Sequence, residues 1–240
     1  MKNSSITALI PARGGSKGVP RKNIKKLHDH PLISYSIMVC KLSKFVDKVI
    51  VSTEDDEIAE TARLYGADVL KRPKEFAQDN STDWQVINHF FDNYDNDCVA
   101  YLRPTTPLRK PNVMDDGIQK FFDNIDTMTG LRSMHELPES PYKVFKIGDA
   151  GYCEGFFTDF NGIQDYTNLP RQIFPNAYQP NGYIDIAKRS TVKSGKSAFS
   201  TKIIPFVSEF VTEIDAEYEF NLLNYQLSIE SNILHENLSK

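Results

Sequence analysis

The chain has 240 residues, of which 40% are hydrophobic and 25% charged, with 28 Lys+Arg against 32 Asp+Glu and a net charge of -4. A chain of this length buries about 70% of its surface on folding, enough for a core without metal or disulfide staples. Its 15 Phe and 11 Tyr exclude a low-complexity or disordered chain. The acidic balance argues against a nucleic-acid partner. Cys40, Cys98 and Cys153 form no CxxC and no even framework, which predicts a reducing, cytoplasmic setting. No apolar run approaches 18 residues and the N-terminus lacks a signal-peptide pattern, so no membrane partner is expected.

In chain order, residues 6–12 read as a buried strand that runs into a glycine-rich turn. Residues 32–42 have helical spacing with Pro31 at the start, a position proline favours. A strand over 46–52 is followed by a helix over 56–65 with Gly66 at its end, then a short strand over 67–70. Ser81 is expected to cap a helix over 82–91. A strand over 98–102, a helix over 112–122 and a strand over 127–132 complete the alternation. The pattern predicts an α/β fold, Rossmann-like, with a mainly parallel central sheet.

Residues 134–180 then lose clean periodicity and are rich in Pro, Gly, Tyr and Phe. So long a loop-rich stretch suits a lid or a dimerisation arm. Residues 144–147 are expected as a strand within it. Regular strands return over 182–187 and 202–207, and one amphipathic helix is expected over 216–233. No linker divides the chain, so a single domain with an insertion is expected.

The strongest chemical signal lies directly after the first strand, Ile10-Pro-Ala-Arg-Gly-Gly-Ser-Lys-Gly-Val-Pro-Arg-Lys-Asn23. Between Arg13 and Lys26 lie Arg13, Lys17, Arg21, Lys22, Lys25 and Lys26 without one acid, a pattern for a small anionic ligand in an otherwise acidic chain. Gly14, Gly15 and Gly18 let the backbone turn tightly and approach an anion. In a parallel sheet, ligands sit beyond the carboxyl ends of strands. The spacing fits neither GxxxxGK[ST] nor GxGxxG, which argues against a P-loop NTPase and a Rossmann dehydrogenase.

This segment resembles the signature of the acylneuraminate cytidylyltransferases, the CMP-nonulosonic acid synthetase family. Val51-Ser-Thr-Glu54, Lys71-Arg-Pro73, Leu102-Arg-Pro-Thr-Thr-Pro-Leu-Arg109, Pro170-Arg-Gln172, Pro180-Asn-Gly182 and Glu213-Ile-Asp-Ala-Glu217 follow in the same order. The resemblance implies transfer of CMP from CTP to the anomeric hydroxyl of a sialic-type acid, with release of pyrophosphate by direct displacement. Arg13 and Lys22 match positions that hold the triphosphate, with Gly14, Gly15, Ser16, Lys17 and Asn23 in the same loop. Arg72 matches a position that reads cytosine, and Ser81 lies in the loop that continues base recognition. Asp83 stands where some members have serine.

Glu213 and Asp215, at i and i+2 on an extended segment, project to one face and are the expected Mg²⁺ ligands. The family more often has Asp-x-Asp, so Glu213 is one methylene longer than the pattern. Lys143 and Arg171 match positions associated with the sugar acid, sometimes contributed across a dimer, and a homodimer is expected. Arg103 lies where some sialate members have glutamine, Asp185 where some have tyrosine, and Gln179 takes an arginine position. These departures predict an acceptor other than N-acetylneuraminate, such as legionaminate or pseudaminate. A Kdo-type acid, another nucleotide donor and a non-catalytic nucleotide-sugar binder are the alternatives. Histidines 28, 30, 89, 135 and 235 form no metal-ligand spacing and are expected to be structural or exposed.

Overall fold

The computed structural model describes residues 5–240. Seven strands form one sheet: β1 (Ile6–Pro11), β4 (Val46–Thr53), β5 (Asp68–Lys71), β6 (Cys98–Tyr101), β7 (Gly130–Glu136), β10 (Tyr178–Lys188) and β11 (Ile203–Val207), in the order β11-β7-β10-β6-β1-β4-β5. All pairings are parallel except those of β10, which runs against β6 and β7. The mainly parallel α/β sheet is therefore the one the sequence predicts. Two small ribbons lie outside it, β2 (Lys26–Leu27) with β3 (His30–Pro31) and β8 (Phe145–Ile147) with β9 (Cys153–Gly155).

Period-2 alternation along the strands separates two cores. Ala8 and Ile10 of β1, Val51 of β4 and Ala100 of β6 face a cluster completed by α1 (Leu32–Leu42), α2 (Asp56–Leu64), α4 (Pro111–Asp123), α6 (Glu217–Ile229) and α7 (Ile233–Leu238). Leu9, Ile50, Val99 and Tyr101 face the opposite cluster, built on α3 (Asp83–Asn93) and α5 (Arg189–Ser194). The result is three layers, helix–sheet–helix.

The strand order places the functional crevice. The chain moves outward from β1 to β4 and β5, then returns to β6 on the other side of β1. That reversal between β1 and β6 is a topological switch point, where the carboxyl-end loops diverge and leave a cleft. The loop after β6 is fixed from below by Arg109, which is fully buried. Its guanidinium donates to the carbonyls of Arg103, Thr106, Gly182 and Tyr183 and to Ser36 Oγ, and burial lowers its pKa to about 10.

Three local expectations are corrected. Thr82, not Ser81, caps α3: Thr82 Oγ1 accepts from the Gln85 N–H while Gln85 Oε1 accepts from the Thr82 N–H, a capping box. The single helix expected over 216–233 is two helices, because Asn232 Oδ1 accepts the N–H groups of Leu234 and His235 and starts α7 afresh. The strand expected over 127–132 begins at Gly130, since the Thr127 N–H closes a turn onto Asn124 O.

Residues 137–177 leave the sheet between β7 and β10 as an arm. Tyr142 stacks on Phe174, with ring centroids 5.0 Å apart, and on Phe157 at 4.5 Å. The Tyr166 hydroxyl donates to Phe157 O at 2.9 Å. Phe145, Ile147, Tyr152 and Phe156 remain exposed.

Candidate active site

A cleft of about 430 Å³ opens at the switch point. Its walls come from the loop after β1 (Arg13, Ser16, Lys17, Gly18, Lys22, Asn23), the segment from β5 to α3 (Arg72, Asp79, Ser81, Asp83), the loop after β6 (Arg103, Thr105) and the late strap Glu213–Asp215. A larger groove of about 760 Å³ between α4 and α6 contains none of these motif residues.

The glycine-rich loop is tied down at both ends. Asn23 is buried and its Nδ2 donates to Arg13 O at 2.9 Å. The Gly14 N–H donates to Glu54 Oε1 at 2.7 Å, and the Ser16 N–H donates to Gly14 O. These two N–H groups are thus engaged within the protein. Gly18 lies so close to the strap that a Cβ would meet Asp215 O at 2.0 Å, whereas a Cβ on Gly15 would meet nothing within 4 Å.

Each cation of the cleft faces a carboxylate. Arg13 and Lys17 converge on Asp79, at 2.9 and 2.5 Å, and these cations hold the Asp79 carboxyl below its ordinary range. Lys22 is 13% exposed and stands 3.8 Å from Asp215 Oδ1 while its Nζ donates to Ile214 O at 2.7 Å. Burial lowers the Lys22 pKa, and Asp215, Glu213 and Glu219 only partly offset it. Arg72 is 5% exposed and pairs with Glu54 at 3.3 Å, yet its Nε has no partner. Desolvation lowers the Arg72 pKa. Not all of the basic run enters the cleft: Arg21 turns away to Asp55 and Glu57, and Lys25 to Glu217.

The far wall is a part-buried network. Arg103 donates to Asp185 Oδ2 at 2.8 Å and to Asp83, and the Tyr101 hydroxyl donates to Asp83 Oδ1 at 2.9 Å. Asp185 is fully buried and also accepts the Ser133 N–H. The two carboxylates raise the Arg103 pKa above its ordinary value despite its burial. Asp83 thus serves this network. Ser81 Oγ accepts the Gln78 N–H and donates to Glu75 O, so it shapes the loop at the cleft edge.

On the strap, Glu213 Oε1 accepts from Thr105 Oγ1 at 2.8 Å, and the Ile214 N–H donates to Thr105 O. Asp215 is largely exposed toward the cleft. Lys143 and Arg171 lie outside it, on the exposed arm, where Lys143 Nζ donates to Thr167 O. Asp79 and Thr105 were not singled out by sequence. Asp79 has no local pattern to mark it, whereas Thr105 sat inside a quoted motif.

The family model for cytidylyltransferases matches residues 7–150 of this chain. The chain belongs to the cytidylyltransferase family. It is 31% identical over 222 residues to an N-acylneuraminate cytidylyltransferase of Escherichia coli O18:K1:H7 (strain RS218 / NMEC), an alignment covering 91% of this chain and 51% of that one. The chain thus spans about half the length of that relative. It is 29% identical over 238 residues to the post-translational flagellin modification protein B of Campylobacter coli, covering 92% and 94% of the two chains. Among solved structures, a CMP:2-keto-3-deoxy-manno-octonic acid synthetase complexed with CTP superposes with a TM-score of 0.70 at 15% identity, covering 94% of this chain and 99% of that one, a likeness of fold. For this member of the family the switch-point cleft, with its glycine-rich basic loop, is the candidate active site.

Proposed function

We propose that the chain transfers a cytidylyl group from CTP to the anomeric hydroxyl of a nonulosonic acid. The observation that carries this reading is the convergence of Arg13, Lys17 and Lys22 with the Glu213–Asp215 strap across the switch point of a family member. In the reaction the acceptor's hydroxyl oxygen bonds to the α-phosphorus. The bond from that phosphorus to the bridging oxygen breaks, its electron pair leaves with pyrophosphate, and the hydroxyl proton is released. Arg13, Lys17 and Lys22 bind the triphosphate and stabilise charge that builds on the leaving group. Asp79, which holds Arg13 and Lys17 in the free protein, yields to phosphate. Arg72, with a buried Nε lacking a protein partner, has a donor left for the cytosine edge.

Glu213 and Asp215 offer only oxygen donors, the set that suits a hard cation such as Mg²⁺. Carboxylates at every cation of the cleft leave the site without a large positive excess, so a triphosphate calls for an added cation. These two residues would hold Mg²⁺, which would offset phosphate charge when bound.

For the acceptor, the Arg103–Asp185–Asp83 network matters most. Two carboxylates neutralise Arg103, so its charge is not free for the sugar carboxylate. That favours Lys143 or Arg171 as the carboxylate's cation. Their position on an arm with exposed Phe145, Ile147 and Phe156 supports a homodimer in which the arm completes a site. The free cysteines support a cytoplasmic setting. The test is pyrophosphate release from CTP and Mg²⁺ with N-acetylneuraminate, legionaminate, pseudaminate and Kdo offered separately. Release with an acceptor other than N-acetylneuraminate is expected. Nucleotide binding without release for any acceptor would point to a non-catalytic binder.

A further inference from the structure

Three of the five histidines meet at one place, and none of them lines the cleft. His28 lies in the two-residue turn between β2 and β3, His30 begins β3, and His235 comes from α7. The rings of His28 and His235 lie 4.7 Å apart. One nitrogen of His28, one carboxylate oxygen of Asp29 and one nitrogen of His235 fall within 4.8 Å of one another. Sequence spacing could not reveal this, because the fold brings together segments from the two ends of the chain.

Two independent features mark the cluster as more than packing. The first is the protonation pattern of His235. The Tyr35 hydroxyl is buried and donates its one proton to Leu27 O at 2.9 Å. It can therefore only accept at its 3.2 Å contact with His235 Nδ1. With the Tyr35 proton on Leu27 O, His235 carries its own proton on Nδ1, which leaves the Nε2 lone pair free. An imidazole oriented through its second nitrogen is the usual arrangement of a metal ligand. The second is His28, which holds a left-handed backbone at φ 54, where glycine or asparagine costs less in a two-residue turn. His28 is held there as its N–H donates to Asn224 Oδ1 at 2.6 Å, and Asp29 Oδ2 lies 2.8 Å from its Nδ1. His30 is not a candidate ligand, since its nitrogens meet Tyr65 and Ser239 hydroxyls.

We propose that His28, Asp29 and His235 form a binding site for a borderline divalent metal such as Zn²⁺, which clips α7 to the hairpin that continues the nucleotide loop. Two nitrogens and one oxygen with a water suit a tetrahedral Zn²⁺, and the hard Mg²⁺ of the cleft would not compete for imidazole. Ligand atoms on such an ion stand roughly 3.4 Å apart at bond lengths of about 2.0–2.1 Å. The exposed His28 and Asp29 side chains can close that difference by rotation.

The test uses the whole chain, freed of metal with a chelator, and titrates Zn²⁺ and Co²⁺. One Zn²⁺ per chain is expected, with a raised Tm and the visible spectrum of tetrahedral Co²⁺. His28→Asn, which keeps the left-handed turn, and His235→Gln should each weaken Zn²⁺ binding at least tenfold. Asp215→Ala should bind Zn²⁺ at this site as tightly as the parent. X-ray absorption of the Zn²⁺-loaded parent should show two imidazole ligands. An all-oxygen shell, or undiminished binding by His28→Asn, would overturn the proposal. The absorption measurement decides even if a variant fails to fold.

Discussion

Lys22 Nζ lies 3.8 Å from Asp215 Oδ1 and donates to the carbonyl of Ile214 at 2.7 Å, joining the loop after the first strand to a strap near the other end of the chain. Lys22 thus ties the loop after β1 to the strap that carries Asp215, the acid proposed to hold Mg²⁺. Both segments line the cleft.

Removing the acid tests its role. Asp215→Ala should lower the rate of pyrophosphate release at least tenfold, because a direct metal ligand is worth several kcal/mol of charge stabilisation. Asp215 is exposed, so Tm should change little. Retention of more than about a tenth of the parent rate would remove Asp215 from the metal site.

Asp79 should compete with substrate. Its carboxylate holds Arg13 and Lys17 in the free protein. Asp79→Asn should tighten CTP binding a few-fold at most, as expected on releasing cations from an exposed, solvent-screened carboxylate. Calorimetric titration with CTP reads this directly. Weaker binding would mean that Asp79 orders the loop instead of occupying it.

The two loop glycines should behave differently. Gly18→Ala pushes a methyl into Asp215 O, while Gly15→Ala enters open space. The first should cost about 1–3 kcal/mol, lowering Tm by several degrees at about 2–4 °C per kcal/mol for a chain of this size. The second should stay within about 0.5 kcal/mol. Equal Tm values for both variants would contradict the contact between loop and strap.

Lys22 sets an alkaline limit. Burial favours its neutral form, so it deprotonates below the ordinary lysine value of about 10.4. The triphosphate needs the charged form. CTP affinity should therefore fall as pH rises through this depressed pKa, and Lys22→Arg, which stays charged, should move the fall to higher pH. A pH profile unchanged by Lys22→Arg would assign the limb to another group.

Much of this architecture was legible because it is local. Alternating apolar strands gave the sheet, and glycine with cations after β1 gave the loop that lines the cleft. What escaped was long-range. Nothing near Asp79 marks its pairing with Arg13, and nothing near Asp83 marks its sharing of Arg103 with Asp185. Helical periodicity ran through residues 216–233, but the side chain of Asn232 satisfied two backbone N–H groups and split the helix. Arg103 was expected on the sugar side by resemblance; its neutralisation by two acids becomes visible only in the folded chain.

The most direct test follows the α-phosphorus. Protein, CTP, Mg²⁺ and each candidate acid are incubated together, and the products are resolved by phosphorus NMR and mass spectrometry. The expected result is equimolar pyrophosphate and a CMP–sugar phosphodiester through the anomeric oxygen. Free CMP with pyrophosphate and unchanged sugar, or intact CTP with every acid offered, would contradict cytidylyl transfer to a nonulosonic acid.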